Sequence, residues 1–185
     1  MRGALNRYGN SLNLSYNFTL TVAGLVWFGY EYLCLADIDN YIHFWNLMVY
    51  DYTGPWSNLT GNQANLFRSL DNPEGTPFNT EAIISHYTSQ NISLAKIVLG
   101  MLLYSRFFSS TVGLSQSLGQ PFKGSSTYDY KVLPIDRANI VYDPSTGSSY
   151  SYDTANREIV SFDTTAVAKQ KAVWIMSNGL GGTMF

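Results

Sequence analysis

Phe44-Trp-Asn-Leu-Met-Val-Tyr50 contains a single polar residue, Asn46, and runs directly into Asp51-Tyr-Thr-Gly54. A run this apolar reads as a strand covered on both faces, the pattern of a parallel sheet with helices packed on it. Outward from it lie three more runs of the same kind. Phe18-Thr-Leu-Thr-Val-Ala23 precedes it, Ile97-Val-Leu-Gly-Met-Leu-Leu-Tyr104 follows, and Leu180-Gly-Gly-Thr-Met-Phe185 begins a fourth. Helical patterns separate them. Arg2 to Leu12 reads as a helix tail and Ala36 to Tyr41 as a short helix. Thr80 to Gln90 is capped by Asn79 or Thr80 and puts Ile83, Ile84 and Tyr87 on one face. Thr164 to Asn178 is capped by Asp163 or Thr164. Its stripe is Ala168, Ala172 and Ile175, and Gly179 stands where a left-handed residue ends a helix. Strands alternating with helices imply parallel pairing with right-handed crossovers.

One stretch departs from this alternation. Tyr128–Leu133, Asn139–Asp143, Ser148–Asp153 and Glu158–Phe162 are short and rich in Tyr, Val and Ile. Pro144-Ser-Thr-Gly147 and Thr154-Ala-Asn-Arg157 separate the last three. This predicts an antiparallel meander inserted between the third strand and its return helix.

Composition narrows the function classes. The 185 residues are 45% hydrophobic and only 13% charged, with net charge -2. No basic stripe is present, so no nucleic-acid partner is expected. Leu20 to Ala36 is apolar but contains Tyr30, Glu31 and Tyr32. It reads as a strand and its loop, and no membrane partner is expected. Aromatic content is 15%, with 14 Tyr, 10 Phe and 4 Trp. Aromatic faces stack on pyranose rings, so this supply fits a carbohydrate binder; an aromatic-rich core is the alternative. Cys34 is the single cysteine, which excludes an internal disulfide and a cysteine zinc site. No metal or cofactor is expected. Sequons at Asn13, Asn17, Asn58 and Asn91 favour the secretory route, although Met1 to Ser15 shows no apolar signal-peptide core. No Gly-x-Ser-x-Gly elbow or phosphate loop occurs.

Several motifs together resemble one family. Met48-Val-Tyr-Asp51 followed by Tyr52-Thr-Gly54 is similar to the Met-x-Tyr-Asp strand of glycoside hydrolase family 18. Gln63-Ala-Asn-Leu66 resembles the following loop of its fungal-type chitinases. Gly100-Met-Leu-Leu-Tyr-Ser-Arg106 resembles its Gly-Met-Pro-x-Tyr-Gly-Arg strand end. Tyr128-Asp-Tyr-Lys131 and Gly181-Gly-Thr-Met184 match later landmarks, in order. The resemblance covers the chain from about residue 18 onward.

The resemblance implies a partial (β/α)8 TIM barrel, strands five to eight, with an antiparallel α+β insertion after strand seven. Residues 1–108 would be the first part of the half barrel, 109–163 the insertion, and 164–185 the last helix and start of the final strand. It implies hydrolysis of β-1,4-linked N-acetylglucosamine polymers, with chitin or chitooligosaccharide as partner. In that family the substrate's own acetamide attacks the anomeric carbon, so no enzyme nucleophile is needed. By resemblance, Tyr50 hydrogen-bonds the acetamide oxygen, Asp51 helps hold the sugar beside the acid, and Met48 lines the pocket floor. A core tyrosine beside a solvated aspartate is the plainer reading of Tyr50-Asp51. Tyr104 and Arg106 would line the groove; an arginine at a strand end is otherwise a surface ion-pair partner. Tyr128 and Asp129 are rim contacts or simply strand edge. Trp56, in the loop after Gly54-Pro55, is the better stacking platform, and Trp45 belongs to the core.

The departures concern catalysis. The family's general acid ends the motif Asp-x-x-Asp-x-Asp-x-Glu. Glu31, Glu74, Glu81 and Glu158 are preceded two residues earlier by Gly29, Asn72, Asn79 and Asn156. The catalytic glutamate motif is therefore absent from these residues, and a truncated chain without turnover is expected. Leu102 and Ser105 replace a usual Pro and Gly. The run after the first strand, Leu25 to Tyr32, does not resemble the family loop. Phe185 stands where the family continues into Trp-Glu, whose Trp forms the floor under the reacting sugar. A half barrel also leaves sheet edges exposed, through which the chain would associate with itself.

Overall fold

The computed structural model describes residues 1–13, 19, 21–24, 32–112 and 118–185. Two sheets organise them. The first is parallel, with β1 (Thr21–Gly24), β2 (Phe44–Leu47), β3 (Ile97–Gly100) and β9 (Gly182–Met184) in the order β1-β2-β3-β9. Val22 is opposite Trp45, Leu47 is opposite Leu99, and Leu99 is opposite Thr183. The second is antiparallel: β4 (Tyr104–Ser109), β5 (Gly124–Asp129), β6 (Asn139–Asp143), β7 (Ser148–Asp153) and β8 (Glu158–Ser161) take the order β5-β4-β8-β7-β6. Four helices complete the set: α1 (Arg2–Ser11), α2 (Leu35–Asp39), α3 (Thr80–Ser89) and α4 (Thr165–Ser177). The expected strand at Phe18–Ala23 begins partly outside the described residues, as does the Leu25–Tyr32 stretch. None of the described helices is long and apolar enough to cross a membrane.

The core explains why β2 forms where it does. Trp45, Leu47 and Val49 are buried and pack with Ile97, Leu99, Ile83, Ile84 and Tyr87. Trp45 meets Tyr87 edge to face at 5.4 Å, and its indole N–H donates to Asp39 Oδ1 at 2.8 Å. Each such buried side chain contributes roughly 1.5–3 kcal/mol. Phe44, Asn46, Met48 and Tyr50 alternate with these and are only partly buried. So one face of the strand is covered fully and the other in part, although an apolar run suggests equal cover. Hydrophobicity reports what a face tolerates, and neighbouring elements decide how much is covered.

Three expectations shift in detail. The run Ile97–Tyr104 divides, because β3 ends at Gly100 and Tyr104 opens β4 of the other sheet. An apolar run does not mark where its hydrogen-bond partner changes. The segment expected from Tyr128 is the end of β5, and Tyr130–Val132 is a tight helical turn. On α4 the buried positions are Val167, Lys171 and Ile175, while Ala172 is exposed. Lys171 is buried because its ammonium donates to Asp163 at 2.5 Å. A stripe chosen for apolar residues alone overlooks a paired lysine.

Candidate functional site

The parallel strand β2 delivers Tyr50 and then Asp51 to one end of the sheet. Asp51 has φ 61, a left-handed conformation that Asp and Asn tolerate better than most residues. The turn points its carboxylate toward β4. Asp51 Oδ1 accepts from Arg106 Nε at 2.8 Å, with both side chains largely covered. Burial, and then the neighbouring Asp51 carboxylate, push the Tyr104 hydroxyl well above the usual tyrosine range. Desolvation followed by the Asp51 charge raises Tyr50 as well. The hydrogen bond to Asp51 holds Arg106 above the usual arginine value. Both tyrosines thus stay neutral hydrogen-bonding groups around one fixed ion pair.

Aromatic rings frame this pair. The Arg106 guanidinium lies over Trp56 at 5.0 Å and over Tyr104 at 5.7 Å. Tyr50 and Tyr104 meet edge to face at 6.2 Å. Gly100 makes room for this, since a Cβ there would come within 2.6 Å of the Tyr50 ring and 2.8 Å of the Leu47 carbonyl. Beside the two tyrosines is a cavity of about 230 Å³ closed by Met101, Leu102, Met184 and Phe185. Two tyrosines and an apolar wall line it, a surface suited to stacking against the apolar face of a ring.

The structure therefore brings Tyr50, Asp51, Trp56, Tyr104 and Arg106 together. Met48 is on the same strand face as Tyr50 by two-residue alternation, half-buried, and is not among the residues lining the cavity. Trp56 is 47% exposed, and one of its faces already carries the Arg106 guanidinium. Tyr128 and Asp129 lie outside the group. Tyr128 is opposite Ser105, on the sheet face away from Arg106; it stacks on Phe107 at 4.5 Å and its hydroxyl donates to Glu158. Asp129 is opposite Tyr104 but pairs with Lys131 at 3.1 Å in solvent.

The described glutamates sit elsewhere. Glu74 is in the Pro73–Gly75 turn, Glu81 in the first turn of α3, and Glu158 on β8 against Tyr128. Burial raises the Glu158 carboxyl above its ordinary value, and the Tyr128 hydroxyl bond offsets only part of this. Glu31 lies outside the described residues. No group of three or more His, Cys, Asp or Glu among the described residues could hold a metal ion. Gln63 is a residue whose part was not legible: a buried amide in a loop follows no periodicity, and the sequence offered only its place in a motif.

Known proteins resemble this chain along its whole length. The model for glycosyl hydrolases family 18 matches residues 2–185. "Chitinase 1" of Aphanocladium album is 36% identical over 193 residues, covering 100% of this chain and 45% of its own length. This chain thus spans less than half of that relative. The catalytic domain of psychrophilic chitinase B from Arthrobacter TAD20 superposes with a TM-score of 0.85 at 26% identity, over 99% of this chain and 43% of that one. A class V chitinase from Nicotiana tobaccum, solved in complex with NAG4, shares the fold with a TM-score of 0.84 at 22% identity, over 98% of this chain and 55% of that one. The fold is of the α/β-barrel type seen in these chitinases, and the chain belongs to glycosyl hydrolase family 18.

Proposed function

We propose that these residues supply part of the sugar-binding groove of a chitinase, acting on β-1,4-linked N-acetylglucosamine polymers by the substrate-assisted, retaining route. In this reading the parallel sheet is strands five to eight of the barrel, with the antiparallel sheet inserted after strand seven. The order β1-β2-β3-β9, with β4 to β8 intervening in sequence, supports it. The observation that carries the reading is the Tyr50–Asp51–Tyr104–Arg106 cluster at one end of the parallel strands. Tyr50 would hydrogen-bond the acetamide oxygen and orient it toward the anomeric carbon. Asp51, held by Arg106, would keep the sugar in register and offset positive charge on the cyclised acetamide. Met48 and Trp56 would extend the contact surface, whereas Tyr128 faces the other side of its sheet and Asp129 pairs with Lys131.

The 185 residues contain no Asp-x-x-Asp-x-Asp-x-Glu. A positioned acid typically contributes about 10²–10⁴-fold to rate. We therefore propose that this chain by itself binds without turnover. A second reading follows from the same absence: the chain is a non-catalytic binder of chitin or chitooligosaccharide. The sequons support a secretory, extracellular setting for either reading.

One experiment tests both. Reducing-sugar release from chitin oligomers and pull-down on insoluble chitin are measured for the purified chain, Asp51→Ala and Asp51→Asn. We expect no sugar release, pull-down by the wild type, and weakened pull-down by both variants. Turnover by the wild type would overturn the inactivity; undiminished pull-down by the variants would overturn the assigned groove.

A further inference from the structure

We propose that Gln63 is a positioning residue that sets Arg106 against Asp51. The inference deepens the groove reading above and rests on it for its functional meaning.

Gln63 is in the loop after Asp51 and is 1% exposed. Its contacts tie together the pieces that carry the ion pair. Its backbone carbonyl accepts from Tyr52 N at 3.0 Å, one residue beyond Asp51. Its backbone N–H donates to Ser161 Oγ at 3.1 Å. Its side-chain NH2 donates to the Ser161 carbonyl at 2.9 Å and to the Tyr104 carbonyl at 3.2 Å. Ser161 is the β8 residue directly opposite Arg106 on β4, and Tyr104 opens β4 two residues before Arg106. One side chain therefore bridges the Asp51 loop to both strands that hold Arg106.

Chemistry fixes the orientation of the amide. Two carbonyl oxygens can only accept, so the group facing them is the NH2. Gln63 Oε1 is then buried, and the two bonds on the donor side hold the amide in this orientation. A side chain that only filled space would be better apolar. The parallel and antiparallel sheets share no strand, so the relative placement of Asp51 and Arg106 depends on such cross-links.

The test uses the 185-residue chain and a signal that needs no sugar. The Arg106 Nε–H, bonded to Asp51 and largely covered, should give a slowly exchanging ¹H–¹⁵N resonance, identified by its loss in Arg106→Lys. Gln63→Met keeps the volume and removes the donor. Gln63→Asn keeps the amide on an arm one methylene shorter, which reaches one carbonyl at most. Val167→Ala weakens the core on α4, where Val167 is fully buried, without touching this network. We expect loss of the protected resonance in both Gln63 variants and its retention in Val167→Ala.

A folded Gln63→Met or Gln63→Asn that keeps the resonance would overturn the proposal. So would its absence from the wild type or its loss in Val167→Ala. Should neither Gln63 variant fold while Val167→Ala does, the role is general stability and the proposal also falls. Chitotetraose titrated into the same samples separates the two inferences. If the wild type and variants behave as expected but the wild type binds no sugar, the groove reading fails and the positioning role stands.

Discussion

Asp51 holds its left-handed backbone without being glycine, and two effects can be separated there by substitution. Asp51→Asn keeps a side chain suited to that conformation and loses the charge that Arg106 needs. Asp51→Ala loses both. A left-handed residue with an ordinary Cβ costs roughly 1–2 kcal/mol, so urea unfolding should find Asp51→Ala about 1 kcal/mol less stable than Asp51→Asn. Gly100 gives a second expectation. An added methyl would meet the Tyr50 ring and the rigid Leu47 carbonyl. Gly100→Ala should cost about 1–3 kcal/mol through overpacking, and it should weaken chitin pull-down by moving Tyr50. At this scale the residues of the Met48 to Asp51 strand end were legible as a motif. The pairing of Asp51 with Arg106, 55 residues apart, was not, because no sequence period links a strand end to a different sheet. Tyr128 and Asp129 show the converse. They are near Arg106 along their strand pairing, yet alternation turns Tyr128 to the other face.

Elements carry their own expectations. In α4, Lys171 is buried against Asp163; burial raises the Asp163 carboxyl while the lysine opposes this. Removing one partner of a buried pair typically costs about 3–5 kcal/mol. Lys171→Met should fall in that range by denaturant unfolding, whereas a surface change such as Lys169→Met should be near neutral. The turn joining β6 and β7 gives a pH dependence. Asp143 is lowered from its ordinary 3.8: desolvation works against this, but Ser145 and Thr146 hydrogen bonds to the carboxylate outweigh it. The folded value is depressed, so this contribution is fully present above the unfolded value and is lost as pH falls from there through the folded value. Asp143→Asn should flatten the acid limb of melting temperature against pH over that window, measured from pH 5 down to about 2. The helix caps were readable: Asn79 accepts from Ala82 N at 2.9 Å and Thr164 caps α4, since capping is a local backbone requirement. The face of α4 was misread because a buried lysine follows pairing and not hydrophobicity.

For the whole molecule, the free edges matter most. Among the described residues, nothing pairs with the outer edge of β1 or of β9. The partly covered face of β2, bearing Phe44, Met48 and Tyr50, lies in the same sheet. Unpaired edges and part-covered apolar faces template association. We expect the purified chain to self-associate through these edges. Sedimentation velocity checks this, and a monomer would contradict it.

Sequence alone determined the alternation of strands and helices, the helix caps and the apolar runs of the parallel sheet. Each of these depends on contacts within a few residues, or on a face repeated at a fixed period. The same local reading identified the strand-end motifs that mark the family. Tertiary structure alone decided that Tyr104 leaves one sheet for the other and that Lys171 is inside. It also decided that Gln63 bridges the Asp51 loop to the Arg106 strands. Those depend on which distant backbone carbonyl or carboxylate is near, and a polar side chain carries no sequence signal of the partner it will meet.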